Sequence, residues 1–258
     1  MIPVLIQAGG RGTRLRPFTT VLPKPLMPIG ELPVIEIVLR QLKRAGFREI
    51  NISISYLGHL LQAVIGDGGR YGLDVGYITE EKPLGTIGPF RRLPRPDGPV
   101  MVMNGDLLTD LDYTRLVAHH RSSGAALTIG SYCCKVPVSL GVLDLGPGDE
   151  ITGFREKPTL DYWASMGVYV LEPEVWDLVP ENQPFGFDRL MEVVLSGSIR
   201  ANVFRFDGIW LDIGRPEDYQ EAAEVFERER GRLLPDEETE ALPGPIELGR
   251  THPLPRVA

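Results

Sequence analysis

The sequence has few of the features that mark secreted, membrane-spanning or thiolate-metal proteins. Its 258 residues include two cysteines, Cys133 and Cys134, and because they are neighbours we expect no intrachain disulfide. No apolar run reaches the roughly 18 residues of a transmembrane helix. The N-terminus lacks the basic region and cleavage site of a signal peptide. These absences favour a cytoplasmic protein with no membrane partner.

Charge and histidine content exclude two further classes. The net charge of -8 argues against a nucleic-acid binder. His119 and His120 are adjacent on a predicted helix and point in different directions, so they cannot hold one metal ion together. His59 and His252 are isolated in the sequence. The histidines therefore predict no metal site.

Two common glycine motifs are also missing. No Gly-x-x-x-x-Gly-Lys-Ser/Thr sequence of a P-loop occurs. A dinucleotide fingerprint would need a glycine three residues after Gly12, and that position is Leu15. Neither a P-loop ATPase nor a Rossmann dehydrogenase is supported.

The first half of the chain alternates short apolar runs with helical patterns, which is typical of a doubly wound sheet. The second half has short strands with brief turns, so the predicted fold is α/β: a Rossmann-like, mostly parallel sheet with a smaller β-rich lobe. A final helix is predicted from Pro216 to Arg230, with Gly231 just past its end. The main predicted elements are strands at 4–7, 50–54, 75–78, 100–103, 125–132, 141–145, 151–155, 165–170 and 202–206, and helices at 31–45, 57–65 and 113–121.

This pattern predicts one large domain and a tail. The domain covers residues 1–232, in two halves at about 1–135 and about 136–232. Residues 233–258 turn acidic and then proline-rich, which indicates a loosely held tail. We expect the tail to be dispensable for the chemistry.

A glycine-rich, basic segment follows the first predicted strand. Ala8-Gly9-Gly10-Arg11-Gly12-Thr13-Arg14 is followed by Pro23-Lys24-Pro25, with no acid between Arg11 and Lys24. Glycines let backbone N–H groups approach a phosphate closely, and arginines add charge-assisted contacts. In an acidic protein, this cluster predicts a specific anion site.

Further motifs follow the glycine-rich segment in order along the chain. With Gly9 to Leu15 and Pro23-Lys24-Pro25, they are Pro83-Leu84-Gly85-Thr86, Asn104-Gly105-Asp106, Phe154-Arg155-Glu156-Lys157-Pro158, Gly167-Val168-Tyr169 and Trp210-Leu211-Asp212-Ile213-Gly214. Together they resemble the motifs of the sugar-1-phosphate nucleotidyltransferases over residues 3 to about 230, and the similarity is greatest to short mannose-1-phosphate guanylyltransferase-like enzymes without the left-handed β-helix of longer relatives. The resemblance implies a cytoplasmic, Mg²⁺-dependent enzyme with a Rossmann-like core, a nucleotide-binding half at about 1–135 and a sugar-binding half at about 136–232.

Asp106 is also a metal-ligand candidate from its position alone. It follows the apolar run Val100–Met103, and ligands in open α/β sheets bind at the carboxyl ends of strands. Mg²⁺ prefers one or two carboxylates together with phosphate and water oxygens. The resemblance supplies the second carboxylate, Asp212.

The resemblance also implies roles for the other residues. Arg14, Lys24 and Asp106 would be catalytic, with Arg14 on the β,γ-phosphates and Lys24 at the α-phosphorus. The residues implied in nucleotide binding are Ala8, Gly9, Gly10, Gly12, Thr13, Glu80, Pro83, Gly85 and Thr86. Those implied in binding the sugar phosphate are Asn104, Gly141, Glu156, Lys157 and Gly167.

Glu80 favours GTP as the nucleotide. Thymidylyltransferase-like relatives have a glutamine at this position, whereas a carboxylate only accepts hydrogen bonds. Guanine offers N1–H and an exocyclic amine side by side, and one carboxylate can accept from both. Thymidylyl, uridylyl and cytidylyl transfer remain alternatives.

Three departures from the family pattern leave the acceptor open: Gln7, Ile87-Gly88-Pro89 and Ser165. Mannose 1-phosphate, another hexose, a heptose or a cyclitol phosphate fits, and a homo-oligomer is possible. Asp110-Leu111-Asp112 could instead be the Asp-x-Asp of a metal-dependent glycosyltransferase, although we interpret it as solvated turn residues and helix N-cap material. A silent regulatory subunit of the same fold is the third alternative.

Overall fold

The computed structural model describes residues 1–197 and 199–235. They form an α/β fold around a seven-stranded sheet. The strands are β1 (Val4–Gln7), β2 (Pro28–Ile29), β3 (Leu32–Pro33), β4 (Glu49–Ile54), β5 (Asp74–Thr79), β6 (Val100–Asn104), β7 (Leu107–Thr109), β8 (Leu127–Pro137), β9 (Val142–Leu145), β10 (Ile151–Arg155), β11 (Thr159–Leu171), β12 (Ala201–Phe206) and β13 (Trp210–Asp212). The helices are α1 (Val34–Arg44), α2 (Gly58–Ile65), α3 (Tyr113–Ser123), α4 (Pro173–Leu178), α5 (Phe187–Ser196) and α6 (Pro216–Leu233).

The central sheet has the strand order β12-β8-β11-β6-β1-β4-β5. β1 pairs in parallel with β4 and β6, β4 with β5, and β8 with β12, whereas β11 runs antiparallel to both of its neighbours. Parallel strands covered on both faces are apolar throughout, and β6 fits this rule because residues 100–103 are all buried. The predicted α/β class and mostly parallel sheet are confirmed.

Helices pack on both faces of the sheet and leave the ends of its strands uncovered. One core contains residues of α1, α2 and α3 on the face of Val4 and Ile6, and the other contains residues of α4 and α5 on the face of Leu5. A third cluster joins the outer side of α1 to α6 and β13. α1 can serve two cores because Val34 and Ile37 pack in the third cluster, whereas four other apolar residues pack in the first: Ile35, Val38, Leu39 and Leu42.

The second half of the chain adds β11 and β12 to the same sheet and extends from it as a long hairpin. The outer ends of β8 and β11 pair only with each other, from Cys133↔Trp163 to Pro137↔Thr159. Beyond them, β9 and β10 form a separate two-stranded antiparallel hairpin. We call residues 133–163 the arm.

Two predicted helix boundaries differ from the structure by three residues, and the others agree within two residues. α1 begins at Val34 rather than Glu31, because residues 28–33 form the small hairpin β2–β3. α6 does not stop before Gly231 but continues to Leu233, and the side chains of Leu233 and Leu234 are buried in the third cluster. Residues 236–258 of the predicted tail lie outside the described residues.

A membrane-spanning helix is not found in the part of the chain that the structure describes, because no helix there is both long and apolar enough.

Candidate active site

The predicted catalytic residues meet at the carboxyl edge of the sheet. Asp106 lies two residues after the end of β6, and β13 pairs antiparallel with β7 so that Asp212 lies opposite Leu107. The N–H of Ile213 donates to the carbonyl oxygen of Asp106 at 3.2 Å, which fixes the two segments together. Backbone pairing thus brings together the carboxylates of Asp106 and Asp212, which are 106 residues apart in sequence.

Lys24 lies between these two carboxylates. Its ammonium group forms an ion pair with Asp106 Oδ2 and lies 3.6 Å from Asp212 Oδ1. Burial raises the pKa of Asp106 above its ordinary value, and the positive charge of Lys24 opposes that shift. The backbone of Lys24 is held in a short 3₁₀ turn, in which the N–H of Leu26 donates to the carbonyl of Pro23 at 2.8 Å.

The pair of carboxylates fits a magnesium ion that takes most of its ligands from substrate. Asp106 Oδ1 is buried without a hydrogen-bond partner among the described residues, and Asp212 is about half exposed. No group of three or more His, Cys, Asp or Glu residues forms a ready-made metal site in residues 1–197 and 199–235. Two carboxylates completed by phosphate and water oxygens are the usual arrangement for Mg²⁺.

The glycine-rich segment leaves β1 and follows the same edge. Ala8 is buried, and its N–H donates to the carbonyl of Ser53 at 2.9 Å. A Cβ at Gly9 would lie 2.6 Å from Glu80 Oε1, and one at Gly12 would lie 2.9 Å from Thr19, whereas Gly10 faces open space. The segment therefore needs glycine at two positions and leaves backbone accessible at a third.

Thr13 and Arg14 begin the exposed 3₁₀ turn that follows the glycines. An Arg14 Nη atom lies 3.4 Å from where a Cβ of Gly214 would be, and Asp218 lies at the same distance from that point. Arg14 thus lies beside the segment that carries Asp212. Arg215 and Asp218 line a crevice next to Asp212, and nothing in the sequence marked Arg215.

Glu80 is buried at the end of β5, where it holds the predicted base-reading loop. The N–H of Leu84 donates to Glu80 Oε2 at 2.8 Å, and the N–H of Glu80 donates to Ile54. Burial raises the pKa of Glu80, and the hydrogen bond from Leu84 opposes that shift. One carboxylate oxygen therefore shapes the loop, and Oε1 lies next to Gly9. Pro83 is exposed on the same loop.

The rest of this loop is held by a segment of the second half that the sequence did not mark. Gly85 has φ +79°, and a Cβ there would lie 2.7 Å from the carbonyl oxygen of Phe185. Phe185 O accepts hydrogen bonds from Ile87 and Gly88, and its N–H donates to Leu84. The contacts join residues about 100 positions apart, which no local pattern predicts.

Gln7 and Thr86 also link the end of β1 to the loop and to the start of α5. Gln7 Nε2 donates to the carbonyl oxygen of Thr86, and the N–H of Phe187 donates to Thr86 Oγ1 at 2.8 Å. Phe187 stacks on Tyr169, with ring centroids 3.9 Å apart. Gln7, which departs from the family pattern, thus ties the end of β1 to the loop at residues 84–88.

Asn104 and Gly167 lie in contact at the ends of β6 and the bulged part of β11. Gly167 has φ +72°, and a Cβ there would lie 2.5 Å from the amide nitrogen of Asn104. Ser165, another departure, donates to the hydroxyl of Tyr169 at 3.1 Å. These side chains lie on the sugar side of the predicted site.

Gly141, Glu156 and Lys157 form a second, exposed group on the arm. A Cβ at Gly141 would lie 2.6 Å from the Phe154 ring and 3.4 Å from Glu156 Oε2. Lys157 Nζ is 3.9 Å from Glu156 Oε1. Both charged side chains are exposed, so this group is open to solvent.

Asp110 and Asp112 are both engaged in structural contacts. Asp112 caps α3, where it accepts from the N–H groups of Thr114 and Arg115, and its predicted N-cap role is confirmed. Asp110 is not a solvated turn residue: it accepts from Ile209 N–H at 2.6 Å and pairs with Arg232 at 2.5 Å. The alternative interpretation of Asp110 and Asp112 as the Asp-x-Asp pair of a glycosyltransferase has no support from this geometry.

Comparisons with known proteins identify the family of this chain. Residues 3–229 match the nucleotidyl transferase family model. The chain is similar to a UTP–glucose-1-phosphate uridylyltransferase of Synechocystis (34% identity, 84% of this chain and 61% of that protein) and to a mannose-1-phosphate guanylyltransferase of Mycobacterium tuberculosis (30% identity, 97% and 74%). It thus spans about three fifths of the length of the first of these curated relatives.

A solved structure shows the same fold. The structure of HddC from Yersinia pseudotuberculosis, complexed with GMP-PN, superposes with a TM-score of 0.67 at 26% identity and covers 88% of this chain and 100% of that one. With a family model that matches residues 3–229 and the site geometry described above, the chain belongs to the nucleotidyl transferase family.

Proposed function

We propose that this protein transfers a nucleoside monophosphate from a nucleoside triphosphate to a sugar 1-phosphate and releases pyrophosphate. The observation that carries the proposal is Lys24 held between Asp106 and Asp212 at the carboxyl edge, beside the glycine-rich segment. The site offers cations for phosphates and carboxylates for a metal ion. Charge neutralisation is what transfer of a phosphoryl or nucleotidyl group mainly requires.

The chemistry is one in-line displacement at the α-phosphorus. A sugar-phosphate oxygen attacks, the bond to the pyrophosphate oxygen breaks, and pyrophosphate leaves as an anion. No general base is needed, because the attacking phosphate is already ionised. Lys24 moves from the carboxylates to the α-phosphate oxygens, and Arg14 neutralises the β,γ-phosphates. A Mg²⁺ ion held by Asp106 and Asp212 would add positive charge at the phosphates.

The nucleotide is GTP in this proposal. Glu80 Oε1 lies beside Gly9, and Oε2 keeps a lone pair beyond the one that accepts from Leu84. In this proposal the remaining lone pairs of the carboxylate accept from the two adjacent N–H groups of guanine. The guanylyltransferase names of several relatives support the choice, whereas the uridylyltransferase of Synechocystis keeps UTP as the second candidate.

The acceptor is mannose 1-phosphate or a related hexose, heptose or cyclitol phosphate. Glu156 would accept from sugar hydroxyls and Lys157 would bind the sugar phosphate, while Asn104 and Gly167 shape the opposite side. We also propose a cytoplasmic location, which the resemblance to this family implies.

Pyrophosphate release tests this proposal. The protein is incubated with Mg²⁺, mannose 1-phosphate and, in turn, GTP, dTTP, UTP, CTP and ATP, and then with GTP and other sugar 1-phosphates. We expect release that requires both substrates and is fastest with GTP. No release with any pair would contradict the reaction, as a glycosyltransferase or a silent subunit would give none. Faster release with dTTP or UTP would contradict only the assignment of Glu80.

A further inference from the structure

We propose that Gln7 is a specificity-determining residue whose side-chain oxygen accepts a hydrogen bond from a hydroxyl group of the acceptor sugar. The inference rests on the proposed function and names one side chain that selects among acceptors. Gln7 ends β1, and the three strand residues before it are apolar and buried: Val4, Leu5 and Ile6. A half-buried amide at the end of such a strand costs free energy unless its polar atoms find partners.

Gln7 lies beside Asn104 and on the same face of the sheet. β1 and β6 are parallel, and their register pairs Leu5 with Val102 and Gln7 with Asn104. Because side chains alternate between the two faces along a strand, Gln7 and Asn104 lie on the face of Leu5 and Val102, which pack in the same core. Paired strands are about 4.8 Å apart, so two amide groups leave the carboxyl ends of neighbouring strands side by side.

One hydrogen bond fixes the orientation of the Gln7 amide. Its Nε2 donates to the carbonyl oxygen of Thr86, and a carbonyl oxygen can only accept. The nitrogen therefore faces Thr86, and the two amide atoms cannot exchange places without loss of this bond. Thr86 is itself held, because its Oγ1 accepts from the N–H of Phe187 at 2.8 Å. The direction in which Gln7 presents its oxygen is thus set by the loop and by the start of α5.

The held amide keeps an unused acceptor. Gln7 Oε1 forms no hydrogen bond with a described residue, and it is not one of the buried side-chain atoms that lack a partner, so it is accessible. The side chain of Asn104 likewise has no hydrogen-bond partner in the part of the chain that the structure describes. A sugar hydroxyl both donates and accepts. Two accessible amides side by side therefore match hydroxyl groups on neighbouring carbons of a sugar ring.

The accessible polar surface at Gln7 extends toward β6. On the other side of Gln7, the register partner on β4 is Ser53, which is buried. Glu80, which we propose reads the base, follows β5 and lies beyond β4 in the strand order. Toward β6 and β11, Asn104 is in contact with Gly167, where the predicted sugar side begins. A ligand that reaches the free oxygen of Gln7 therefore comes from the acceptor side and not from the base side.

Kinetics with deoxygenated acceptors test this inference. The proteins are the wild type, Gln7→Leu, Gln7→Met and the control Gln62→Leu, whose side chain is exposed on α2. The parent acceptor is mannose 1-phosphate or glucose 1-phosphate, whichever the wild type uses faster with GTP and Mg²⁺, and it is compared with its 2-, 3-, 4- and 6-deoxy analogues. Each analogue gives one ratio, the kcat/KM of the parent divided by that of the analogue. Loss of the bond to Thr86 slows all acceptors alike, so it cancels in these ratios.

For the wild type and the control we expect a ratio of about ten for the analogue that lacks the recognised hydroxyl, which is the effect of one neutral hydrogen bond. In both Gln7 variants this ratio should fall to about one, while the ratios of the other analogues stay as in the wild type. The preference for GTP over 2′-deoxy-GTP and 3′-deoxy-GTP should stay the same in all four proteins.

Three results would overturn the inference. The first is a wild type that uses every analogue as well as the parent. The second is a set of unchanged ratios in both variants, which would show that Gln7 only holds Thr86. The third is a changed preference between GTP and its deoxy forms, which would place the hydroxyl on the ribose. A wild type that releases no pyrophosphate with any substrate pair would instead refute the proposed function, before any variant is measured.

Discussion

The side chains of Lys24 and Asp106 are 13% and 18% exposed, whereas those of Glu156 and Lys157 on the arm are 63% and 68% exposed. The nucleotide side is built from strand ends, the glycine-rich segment and β13, which hold each other through backbone hydrogen bonds. The arm consists of paired strands, and among the described residues its side chains Leu143, Leu145, Ile151 and Phe154 are exposed. The charged groups of the nucleotide side are therefore held by several elements at once, whereas Glu156 and Lys157 are exposed on the arm.

The largest effect is expected when the largely buried carboxylate of Asp106 is removed. Asp106→Asn should lower kcat by about 100- to 1,000-fold or more, as removal of one electrostatic group at a reacting centre does. The fold should persist, because volume is kept and burial already opposes the charge of Asp106. Asp112→Asn is the matched control, since asparagine also caps a helix well. Turnover of Asp106→Asn within about tenfold of wild type would refute the assignment.

Removal of the exposed charge of Lys157 on the arm should weaken substrate binding rather than lower kcat. Lys157→Met should raise the KM for sugar 1-phosphate about 10- to 100-fold, which corresponds to one charge-assisted hydrogen bond of about 1.5–3 kcal/mol. The KM for GTP and the thermal midpoint should stay unchanged because Lys157 is exposed. Steady-state kinetics with each substrate varied in turn give the answer. If the KM for GTP rose as much as the KM for sugar 1-phosphate, the assignment of Lys157 to the sugar side alone would be contradicted.

The affinity for a metal ion tests the role of Lys24 on the nucleotide side and can be measured without turnover. Because Lys24 lies in the position of a cation between Asp106 and Asp212, Lys24→Met should bind Mn²⁺ more tightly than wild type in the absence of nucleotide. A change of about tenfold corresponds to about 1.4 kcal/mol of repulsion removed. Electron paramagnetic resonance of free Mn²⁺ measures it, with Lys43→Met as the control. Equal affinities in all three proteins would show that Lys24 does not compete with the metal.

The smallest effect is expected at Glu80. Its pKa is raised by burial, so the folded state holds this proton more tightly than the unfolded chain and wild type loses stability as pH rises above about 4.5. Glu80→Gln has no charge to bury, and its amide oxygen can still accept from Leu84. We expect the variant to be at least as stable as wild type at pH 7, with the difference vanishing toward pH 4.5. Its preference for GTP over UTP should fall several-fold.

Thermal unfolding across this pH range, with the exposed Glu81→Gln as control, checks the stability prediction at Glu80. A variant less stable than wild type at pH 7 would mean that the carboxylate charge stabilises the loop rather than costing free energy.

The sequence predicted the parts of this molecule whose signals are local. β1 has its predicted bounds, and the α/β class follows from the alternation of apolar runs with helical periods. The position of Asp106 at a strand end follows from the same pattern. Contacts between distant segments had no such signal: Phe185 holds the loop at residues 84–88 through backbone hydrogen bonds, for which side-chain type is no guide. α4 and α5 were missed, and the exposed facing of the arm required the register of β9 with β10.

The reaction itself is tested most directly by following oxygen atoms. Mannose 1-phosphate labelled with ¹⁸O in its phosphate group is incubated with unlabelled GTP and Mg²⁺, and both products are analysed by mass spectrometry. Attack by the sugar phosphate on the α-phosphorus predicts all of the label in the nucleotide sugar and none in pyrophosphate. Label in released phosphate or pyrophosphate, or no nucleotide sugar at all, would contradict the assignment of Lys24, Asp106 and Asp212 to this displacement.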